Sequence, residues 1–312
     1  MTTYEQWIAQ HIPRIDGKTV LITGANSGLG LETGKLLAAQ GAHLVLGVRD
    51  LDKGQTAVRA ICAAAPAAQV ELLHLDLADL ASVGCFAEEV RGNQRRLDAL
   101  INNAGVMAIP QRCTVDGFEM QFGTNHLGHF ALTGLLLPLL LRTPDARVVT
   151  VASGIHVRGK INFDDLQSTN SYSAWRAYAQ SKLANLLFTY ELQRKLEATG
   201  SPVSALAVHP GYASTGLQAV GPTMAASQSK QVMMRFANRV FAQSAVMGAL
   251  PSAYAATSPR AHGGEYCGPG GFLGQHGYPK KVASSSASHD RAIAARLWQV
   301  SEDLTGVSYR FA

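Results

Sequence analysis

Short apolar runs alternate with longer amphipathic stretches over most of the chain. The apolar runs, rich in β-branched residues, predict strands at 19–23, 43–48, 70–75, 98–102, 147–152 and 202–208, with a weaker strand at 264–267. The stretches between them predict helices at about 29–40, 51–64, 79–92, 117–141 and 172–199. Such alternation requires parallel strands joined by crossover helices. The pattern therefore predicts an α/β fold, a doubly wound parallel sheet with helices on both faces.

The regular alternation stops after the last strong strand. We expect residues 1–312 to form a single domain with an inserted lid at about 216–243, and an irregular tail at 268–290 that is rich in Gly, Pro and Ser. The lid contains one predicted apolar helical face, formed by Val232, Met233, Phe236, Val240 and Phe241. Such a face packs on the protein's own core, covers a cleft that takes a lipophilic ligand, or makes shallow contact with a membrane.

Composition narrows the class of protein. With 47% hydrophobic and 16% charged residues, the chain has the composition of a well-buried globular protein. The net charge of +5 comes from scattered Lys and Arg residues without a basic run, which argues against a nucleic-acid partner. The four cysteines show no close pairing, so they fit reduced thiols of a cytoplasmic protein. No signal peptide is visible, and the longest strongly apolar stretch, 135–141, is too short for a transmembrane segment.

A glycine loop follows the first predicted strand and runs directly into a helix. This setting suits the pyrophosphate of a dinucleotide, because glycines let backbone N–H groups approach the phosphates at the helix N-terminus. The candidate cofactor-binding residues are Gly24, Asn26, Ser27, Gly28, Leu29 and Gly30. Their spacing is G-x-x-x-G-x-G rather than G-x-G-x-x-G. A purely structural turn is the alternative, but the position after the first strand of a Rossmann-type sheet favours cofactor binding.

The end of the second strand bears on which dinucleotide is bound. An acidic side chain there would hold the ribose hydroxyls of NAD, whereas an arginine accommodates the 2′-phosphate of NADP. Arg49 follows the neutral strand residue Val48 directly, and Asp50 comes next. Asp50 can instead cap the helix that begins near residue 51. We therefore expect NADP(H) to be preferred, with NAD(H) as the alternative.

The carboxyl ends of three further strands carry candidate cofactor contacts, because such ends border the ligand crevice of an open parallel sheet. They are Asp76 and Leu77 after the third strand, Asn103, Ala104 and Gly105 after the fourth, and Pro210, Gly211 and Thr215 after the sixth. The Asp76 carboxylate can accept a hydrogen bond from an adenine amino group, or it can serve only as a turn or cap residue. Asn, Gly and Pro are also ordinary turn formers, so the turn alone is an alternative at the other two sites.

Asn125 lies inside an otherwise apolar helical stretch. A polar amide there needs a hydrogen-bond partner, and a helix distorted at Asn125 could hold an ordered water. His126 and His129 follow closely. They are three residues apart with no carboxylate at ligand spacing, so no metal site is expected.

Tyr178 and Lys182 lie one helical turn apart, so their side chains share one face of a predicted helix. A phenol is a poor acid at neutral pH, with an ordinary pKa of about 10. A nearby ammonium favours the phenolate and makes the tyrosine a usable proton donor or acceptor for an alcohol/carbonyl pair. Ser153 ends the fifth strand, where its hydroxyl either contacts a substrate oxygen or simply terminates the strand. No serine lies in a G-x-S-x-G elbow, which argues against a serine hydrolase.

Together these residues resemble the short-chain dehydrogenase/reductase family over nearly the whole chain. Within it the chain is most similar to the retinol-dehydrogenase-like group, and also to protochlorophyllide reductase. The segments that carry the closer resemblance are 47–50, 125–130, 161–166, 178–185, 297–298 and 304–306. Ser153 precedes Tyr178 by 25 residues, a longer spacing than is common in the wider family, and the extra segment fits the retinol-dehydrogenase-like group.

The resemblance implies roles for four residues in hydride transfer between a nicotinamide cofactor and a small alcohol or carbonyl substrate. Tyr178 is the general acid/base, and Lys182 lowers the pKa of Tyr178 and binds the nicotinamide ribose. Ser153 positions the substrate oxygen, and Asn125 holds a water that extends a proton relay. Two alternatives are a catalytically idle redox regulator and an extended-type epimerase or dehydratase. Regulators usually lose the tyrosine or the lysine, whereas here all four residues are present. A homo-oligomer is a further expectation.

Overall fold

The computed structural model describes residues 3–211, 244–271 and 274–311. Its strands are β1 Thr19–Thr23, β2 His43–Val48, β3 Gln69–His74, β4 Ala99–Asn102, β5 Arg147–Val151, β6 Ser204–Val208, β7 Tyr266–Pro269 and β8 Pro279–Lys281. They form one sheet in the order β3-β2-β1-β4-β5-β6-β7-β8, parallel up to β7 and antiparallel at β8. The winding direction reverses between β1 and β4. The carboxyl ends of the strands on either side of such a reversal border a ligand crevice.

Helices cover both faces of this sheet, as expected. Their bounds are α1 Thr3–His11, α2 Gly28–Ala39, α3 Leu51–Ala64, α4 Leu80–Asn93, α5 Gly128–Leu141, α6 Ala174–Ala198, α7 Ala245–Thr257 and α8 Arg291–Thr305. Successive strand residues point to opposite faces. Leu21 accordingly joins the core beneath α4, α5 and α6, whereas Ile22 joins the core beneath α2, α3 and α7. No helix in the described residues is both long and apolar enough to cross a membrane.

The predicted strong strands are confirmed, each within two residues of its expected bounds. Two expectations were wrong or incomplete. The tail at 268–290 is not wholly irregular, because it contains β8 and a short 3-10 helix at Ser286–His289. Helices α1, α7 and α8 have no counterpart in the predicted elements. Strand β8 has only three residues, two of them lysines, so its pairing with β7 leaves no hydrophobic pattern in the sequence. Thr215 and the proposed lid at 216–243 lie outside the described residues.

Three of the catalytic candidates, Asn125, Tyr178 and Lys182, lie on two helical segments that contact each other. The expected helix at 117–141 consists of a single turn at Met120–Phe122, a π-helical turn at Gly123–Leu127, and α5. Helix α6 packs against the sheet on one side and against α8 on another. Residues 177–190 of α6 are therefore all buried, and Tyr178 and Lys182 lie at the start of this buried stretch.

Candidate active site

The glycine loop after β1 is packed too closely for larger residues. Gly24 and Gly28 have φ angles of +68° and +54°, in the region that favours glycine. A Cβ at Gly30 would lie 2.6 Å from the Gly24 carbonyl oxygen and 2.7 Å from Asn103 Nδ2. A Cβ at Gly24 would lie 2.9 Å from Ala104 Cα. The loop therefore fits directly onto the turn after β4, which brings these two groups of predicted residues together.

A buried threonine fastens these two segments to each other. Thr23, the last residue of β1, accepts hydrogen bonds at Oγ1 from the backbone N–H groups of Asn103 (2.9 Å) and Ala104 (3.0 Å). The Asn103 side chain donates to the Thr23 carbonyl oxygen at 2.8 Å. Asn103 is thus occupied in shaping the loop. Thr23 was not among the sequence candidates, and its only signal is a polar residue that ends a buried strand.

The rest of the glycine loop presents polar groups at the start of α2. Ser27 is the N-cap residue, yet its exposed hydroxyl makes no capping bond to the helix. Asn26 and Leu29 are half-buried beside it. The hydroxyl and the first N–H groups of α2 can therefore contact an anionic ligand.

The two residues after β2, Arg49 and Asp50, have different surroundings in the structure. Asp50 caps α3, since its carboxylate accepts from the Lys53 backbone N–H at 3.0 Å and pairs with Lys53 Nζ at 2.7 Å. The expectation that Asp50 can act as a cap is confirmed. Arg49 is exposed, and it has no hydrogen-bond or ion-pair partner among the described residues.

Asp76 holds a turn after β3. Its Oδ1 accepts from the Ala78 backbone N–H at 2.9 Å, which is the turn role weighed from the sequence. Leu77 is buried against the start of α5, where a Cβ at Gly128 would lie 2.4 Å from the Leu77 carbonyl oxygen. Both residues lie at the same carboxyl edge of the sheet as the glycine loop.

Asn125 lies in the π-helical turn, so the predicted distortion of the helix at this residue is confirmed. Its Oδ1 accepts from the Val106 N–H at 2.8 Å. Its Nδ2 donates to the Val106 carbonyl oxygen at 2.9 Å and to Ser181 Oγ at 2.9 Å. A Cβ at Gly105 would lie 2.9 Å from Asn125 Oδ1 and 3.6 Å from Lys182 Nζ. Asn125 therefore ties the turn after β4 to the helix that carries Tyr178 and Lys182.

Tyr178 and Lys182 are adjacent and almost inaccessible, with exposed fractions of 5% and 3%. Lys182 Nζ lies 5.7 Å from the centre of the Tyr178 ring and donates to the Val151 carbonyl oxygen at 3.0 Å. Ser153 begins a 3-10 helix at Gly154–Arg158 and accepts weakly from the Ile155 N–H at 3.4 Å. The sequence candidates of β5 and α6 are therefore neighbours in space.

The pKa of Tyr178 is raised, whereas Lys182 was expected to lower it. Burial raises the pKa of Tyr178 to about 12, although its hydrogen bond with Ser153 acts in the other direction. Burial lowers the pKa of Lys182 to about 8. Removal of the phenol from water is therefore the dominant effect on the pKa of Tyr178 in the free protein. Tyr178 is therefore protonated at neutral pH and carries a proton that it can donate.

Comparison with known proteins decides the family. The sequence pattern of the short chain dehydrogenase family matches residues 18–224. The chain belongs to this family. It is 41% identical over 303 residues to retinol dehydrogenase 14 of Mus musculus, covering 93% of this chain and 86% of that protein. It is 40% identical over 300 residues to human retinol dehydrogenase 13, covering 94% and 86%. This short-chain dehydrogenase is therefore an oxidoreductase of alcohol and carbonyl groups and belongs to the retinol-dehydrogenase-like group.

Solved structures agree on the fold. A protein from Mycobacterium paratuberculosis superimposes with a TM-score of 0.79 at 46% identity, covering 97% of this chain and 98% of that one. The NADP complex of RhlG from Pseudomonas aeruginosa superimposes with a TM-score of 0.63 at 22% identity, covering 81% and 94%. Short-chain dehydrogenases bind a nicotinamide dinucleotide. In this chain the glycine loop follows the first strand and leads into α2, at the carboxyl edge of the sheet.

The loop after β6 carries the last of the described candidate residues. Pro210 and Gly211 follow β6, and Gly211 has a φ of +67°. A Cβ at Gly211 would lie 2.4 Å from the Gln275 carbonyl oxygen. The turn that was weighed as an alternative is therefore present. Contact of this loop with a cofactor stays a prediction, and Thr215 lies outside the described residues.

Acid should destabilise this short-chain dehydrogenase through its buried histidines. Burial lowers the pKa to about 3 for His126 and to about 4 for His129 and His209. A histidine in the unfolded chain has a pKa of about 6.5, so below that pH the unfolded chain binds more protons than the folded chain. The free energy of unfolding should fall as pH drops from about 6.5 to about 4, by roughly 3 kcal/mol for a residue such as His129.

Urea unfolding at several pH values would test this expectation. Glu119 acts in the opposite direction, because burial raises the pKa of its carboxyl group. This one carboxylate offsets only part of the stability that is lost through the histidines. The replacement His209→Gln should flatten the acid limb of the curve, whereas the same change at the exposed His262 should leave the limb unchanged. An unfolding free energy independent of pH over this range would contradict the expectation.

Proposed function

We propose that this protein transfers hydride between NADP(H) and a lipophilic alcohol or carbonyl compound, with Tyr178 as the general acid/base. One observation carries the proposal. Tyr178, Lys182 and Ser153 meet at the carboxyl edge of the sheet, and Asn125 links them to the turn that adjoins the glycine loop. A proton-handling group and a dinucleotide site therefore share one crevice.

In carbonyl reduction the Tyr178 hydroxyl donates its proton to the substrate oxygen as that oxygen gains negative charge. Its raised pKa keeps the proton in place at neutral pH until the substrate oxygen becomes more basic. Ser153 orients the substrate oxygen beside the phenol. Lys182, held by the Val151 carbonyl, supplies positive charge that stabilises the tyrosinate left behind. In alcohol oxidation Tyr178 first loses its proton to solvent, and the tyrosinate, stabilised by the positive charge of Lys182, then accepts the proton of the substrate hydroxyl.

Asn125 is proposed to support the return of that proton from solvent. Its amide is engaged with Val106 and Ser181, so its contribution comes through the backbone of the π-helical turn. A water held at that turn would extend the relay from Lys182. The side-chain bonds of Asn125 fix the position of the turn.

The residues at the crevice fit a dinucleotide that bears a 2′-phosphate. Gly24 and Gly30 hold the loop close to the turn after β4, and the Ser27 hydroxyl makes no capping bond, so this hydroxyl and the first N–H groups of α2 can bind a pyrophosphate. Arg49 is an exposed cation without a partner among the described residues, whereas the Asp50 carboxylate is taken by α3. NADP(H) supplies or accepts the hydride when bound.

The lipophilic substrate class rests on two observations. Trp175 lies one helical turn before Tyr178, with its ring 6.2 Å from the tyrosine ring and 53% of its surface exposed. It offers an apolar surface beside the reacting position. Relatives at 41% and 40% identity are named for retinol, an apolar alcohol, and a Danio rerio relative at 37% identity is named polyprenol dehydrogenase.

Oxidation of NADPH and NADH with a panel of apolar and polar aldehydes and ketones would test the proposal. We expect turnover with apolar carbonyls and NADPH, and weak turnover with polar ones. Tight NADPH binding without turnover of any carbonyl or alcohol would instead favour the idle regulator.

Cofactor preference should depend on Arg49. We expect Arg49→Ala to raise the Kd for NADPH roughly 10- to 100-fold, the range of one or two charge-assisted hydrogen bonds, and to leave the Kd for NADH nearly unchanged. Cofactor fluorescence titration measures both constants. Arg59→Ala, which removes an exposed arginine two turns into α3, is the control. Equal losses for both cofactors would contradict the assignment of Arg49.

A further inference from the structure

One buried histidine touches both halves of the crevice described above. His129, in the first turn of α5, is 1% exposed. Its Nε2 lies 2.9 Å from Thr23 Oγ1, at the end of β1, and its Nδ1 lies 3.1 Å from the Asn125 carbonyl oxygen, in the π-helical turn. We propose that His129 is a positioning residue that couples the cofactor loop to the catalytic turn through these two bonds. The inference rests on the proposed function for its catalytic consequences.

The partners of His129 determine where its proton lies. The Asn125 carbonyl oxygen can only accept, so Nδ1 must carry the hydrogen. In a neutral ring Nε2 is then an acceptor, and the Thr23 hydroxyl donates to it. The Ile101 carbonyl oxygen competes for that hydroxyl, but at 3.4 Å it is the more distant acceptor.

This arrangement leaves Thr23 Oγ1 free to accept the backbone N–H groups of Asn103 and Ala104. The imidazole therefore orients the hydroxyl that shapes the turn after β4 and, through it, the wall of the glycine loop. On its other side the imidazole anchors the turn in which Asn125 binds Val106 and Ser181. One ring thus determines the hydrogen-bond directions in both segments.

The surroundings keep His129 neutral. Burial lowers the pKa of His129, and the nearby ammonium of Lys182 lowers it further, while the bond to Asn125 acts in the opposite direction. His126 is the other titratable group whose charge would be felt here, and it is also buried and neutral at physiological pH. A proton on His129 would place a second buried cation near Lys182 and remove the acceptor for Thr23.

Two amide substitutions separate the two bonds. In His129→Gln the side-chain oxygen can occupy the Nε2 position and accept from Thr23, but the donor to Asn125 is lost. In His129→Asn the side-chain nitrogen can occupy the Nδ1 position and donate to Asn125, but the acceptor for Thr23 is lost. His129→Phe removes both bonds and keeps an aromatic ring.

The proposal predicts that one amide variant changes the Kd for NADPH and the other changes kcat. His129→Asn should raise the Kd for NADPH roughly tenfold, with kcat at saturating NADPH within about threefold of wild type. His129→Gln should lower kcat roughly tenfold, with the Kd within about threefold. His129→Phe should show both losses. A residue that only fills the core would give all three variants the same loss, and that result would overturn the proposal.

Two measurements on the cofactor-free protein decide the proposal even if the proposed function fails. Hydrogen exchange should quicken at the amides of Asn103 and Ala104 in His129→Asn, and at the amide of Val106 in His129→Gln. Imidazole nitrogen shifts should show the Nδ1–H form of His129 at about pH 7. The matching changes at the exposed His262 should affect neither exchange pattern. An Nε2–H ring, or the same exchange pattern in both variants, would refute the coupling.

Discussion

Replacing Tyr178 with phenylalanine is expected to lower kcat for carbonyl reduction roughly 10²- to 10⁴-fold, the range that a positioned acid contributes. Only the hydroxyl is lost, and the ring remains buried against the same neighbours. The Kd for NADPH should change little, because the proposed cofactor contacts lie mainly in the glycine loop and its surroundings. Stopped-flow single turnovers at saturating NADPH would separate the chemical step from binding and release.

The same helix offers a matched control for this experiment. Tyr190 lies three turns beyond Tyr178 and is buried to a similar extent, and its hydroxyl bonds Ser284 Oγ at 2.8 Å. Tyr190→Phe removes a buried phenol from α6 without touching the proposed site, so its kcat should stay close to that of the wild type. Turnover by Tyr178→Phe within a few-fold of wild type would remove Tyr178 from the mechanism.

Gly30→Ala is expected to weaken NADPH binding by at least tenfold. The added Cβ would lie 2.6 Å from a backbone oxygen of Gly24 and 2.7 Å from Asn103 Nδ2, so the glycine loop and the turn after β4 must separate. Overpacking of this kind costs about 1–3 kcal/mol, and a shifted loop no longer directs its N–H groups at the pyrophosphate. Calorimetric titration and the Tm of the cofactor-free protein would measure the two effects.

A second helical glycine provides the comparison. Gly84 lies within α4, and a Cβ there would meet no atom within 4 Å. Gly84→Ala should leave NADPH binding unchanged and raise stability by up to about 1 kcal/mol, because alanine is the better helix former. Wild-type affinity in Gly30→Ala would show that the loop can accommodate a methyl group and that the site is not as tightly packed as the structure indicates.

The raised pKa of Tyr178 changes how the pair with Lys182 should be understood. Spacing along a helix indicated that the lysine would favour the phenolate, but it could not show that both groups are removed from water. Burial raises the pKa of the phenol and lowers that of the ammonium. In the free protein Tyr178 therefore keeps its proton at neutral pH and can act as an acid. This protonation state suits carbonyl reduction, in which the substrate oxygen takes up a proton.

Much of the sheet could be predicted because its signal is local. Buried parallel strands such as β1 and β5 are continuous apolar runs, and each is followed by a helix with its own periodicity. The glycine loop was predicted for a related reason, since a tight turn between strand and helix restricts residue type. Strand β8 and helices α1, α7 and α8 were not predicted. Strand β8 has only three residues and α1 has no buried residue, so neither leaves a clear hydrophobic pattern.

The sequence alone determined the fold class and the position of the glycine loop, and it indicated Ser153, Tyr178 and Lys182 as catalytic candidates, because residue types and their order along a parallel sheet restrict these features. Only the tertiary structure showed that Asp50 is used as a helix cap while Arg49 is left exposed. It alone showed the hydrogen bonds from which the roles of Thr23 and His129 are proposed. Those roles depend on hydrogen bonds between residues about a hundred positions apart. The local sequence shows neither the direction of such bonds nor the loss of water around them.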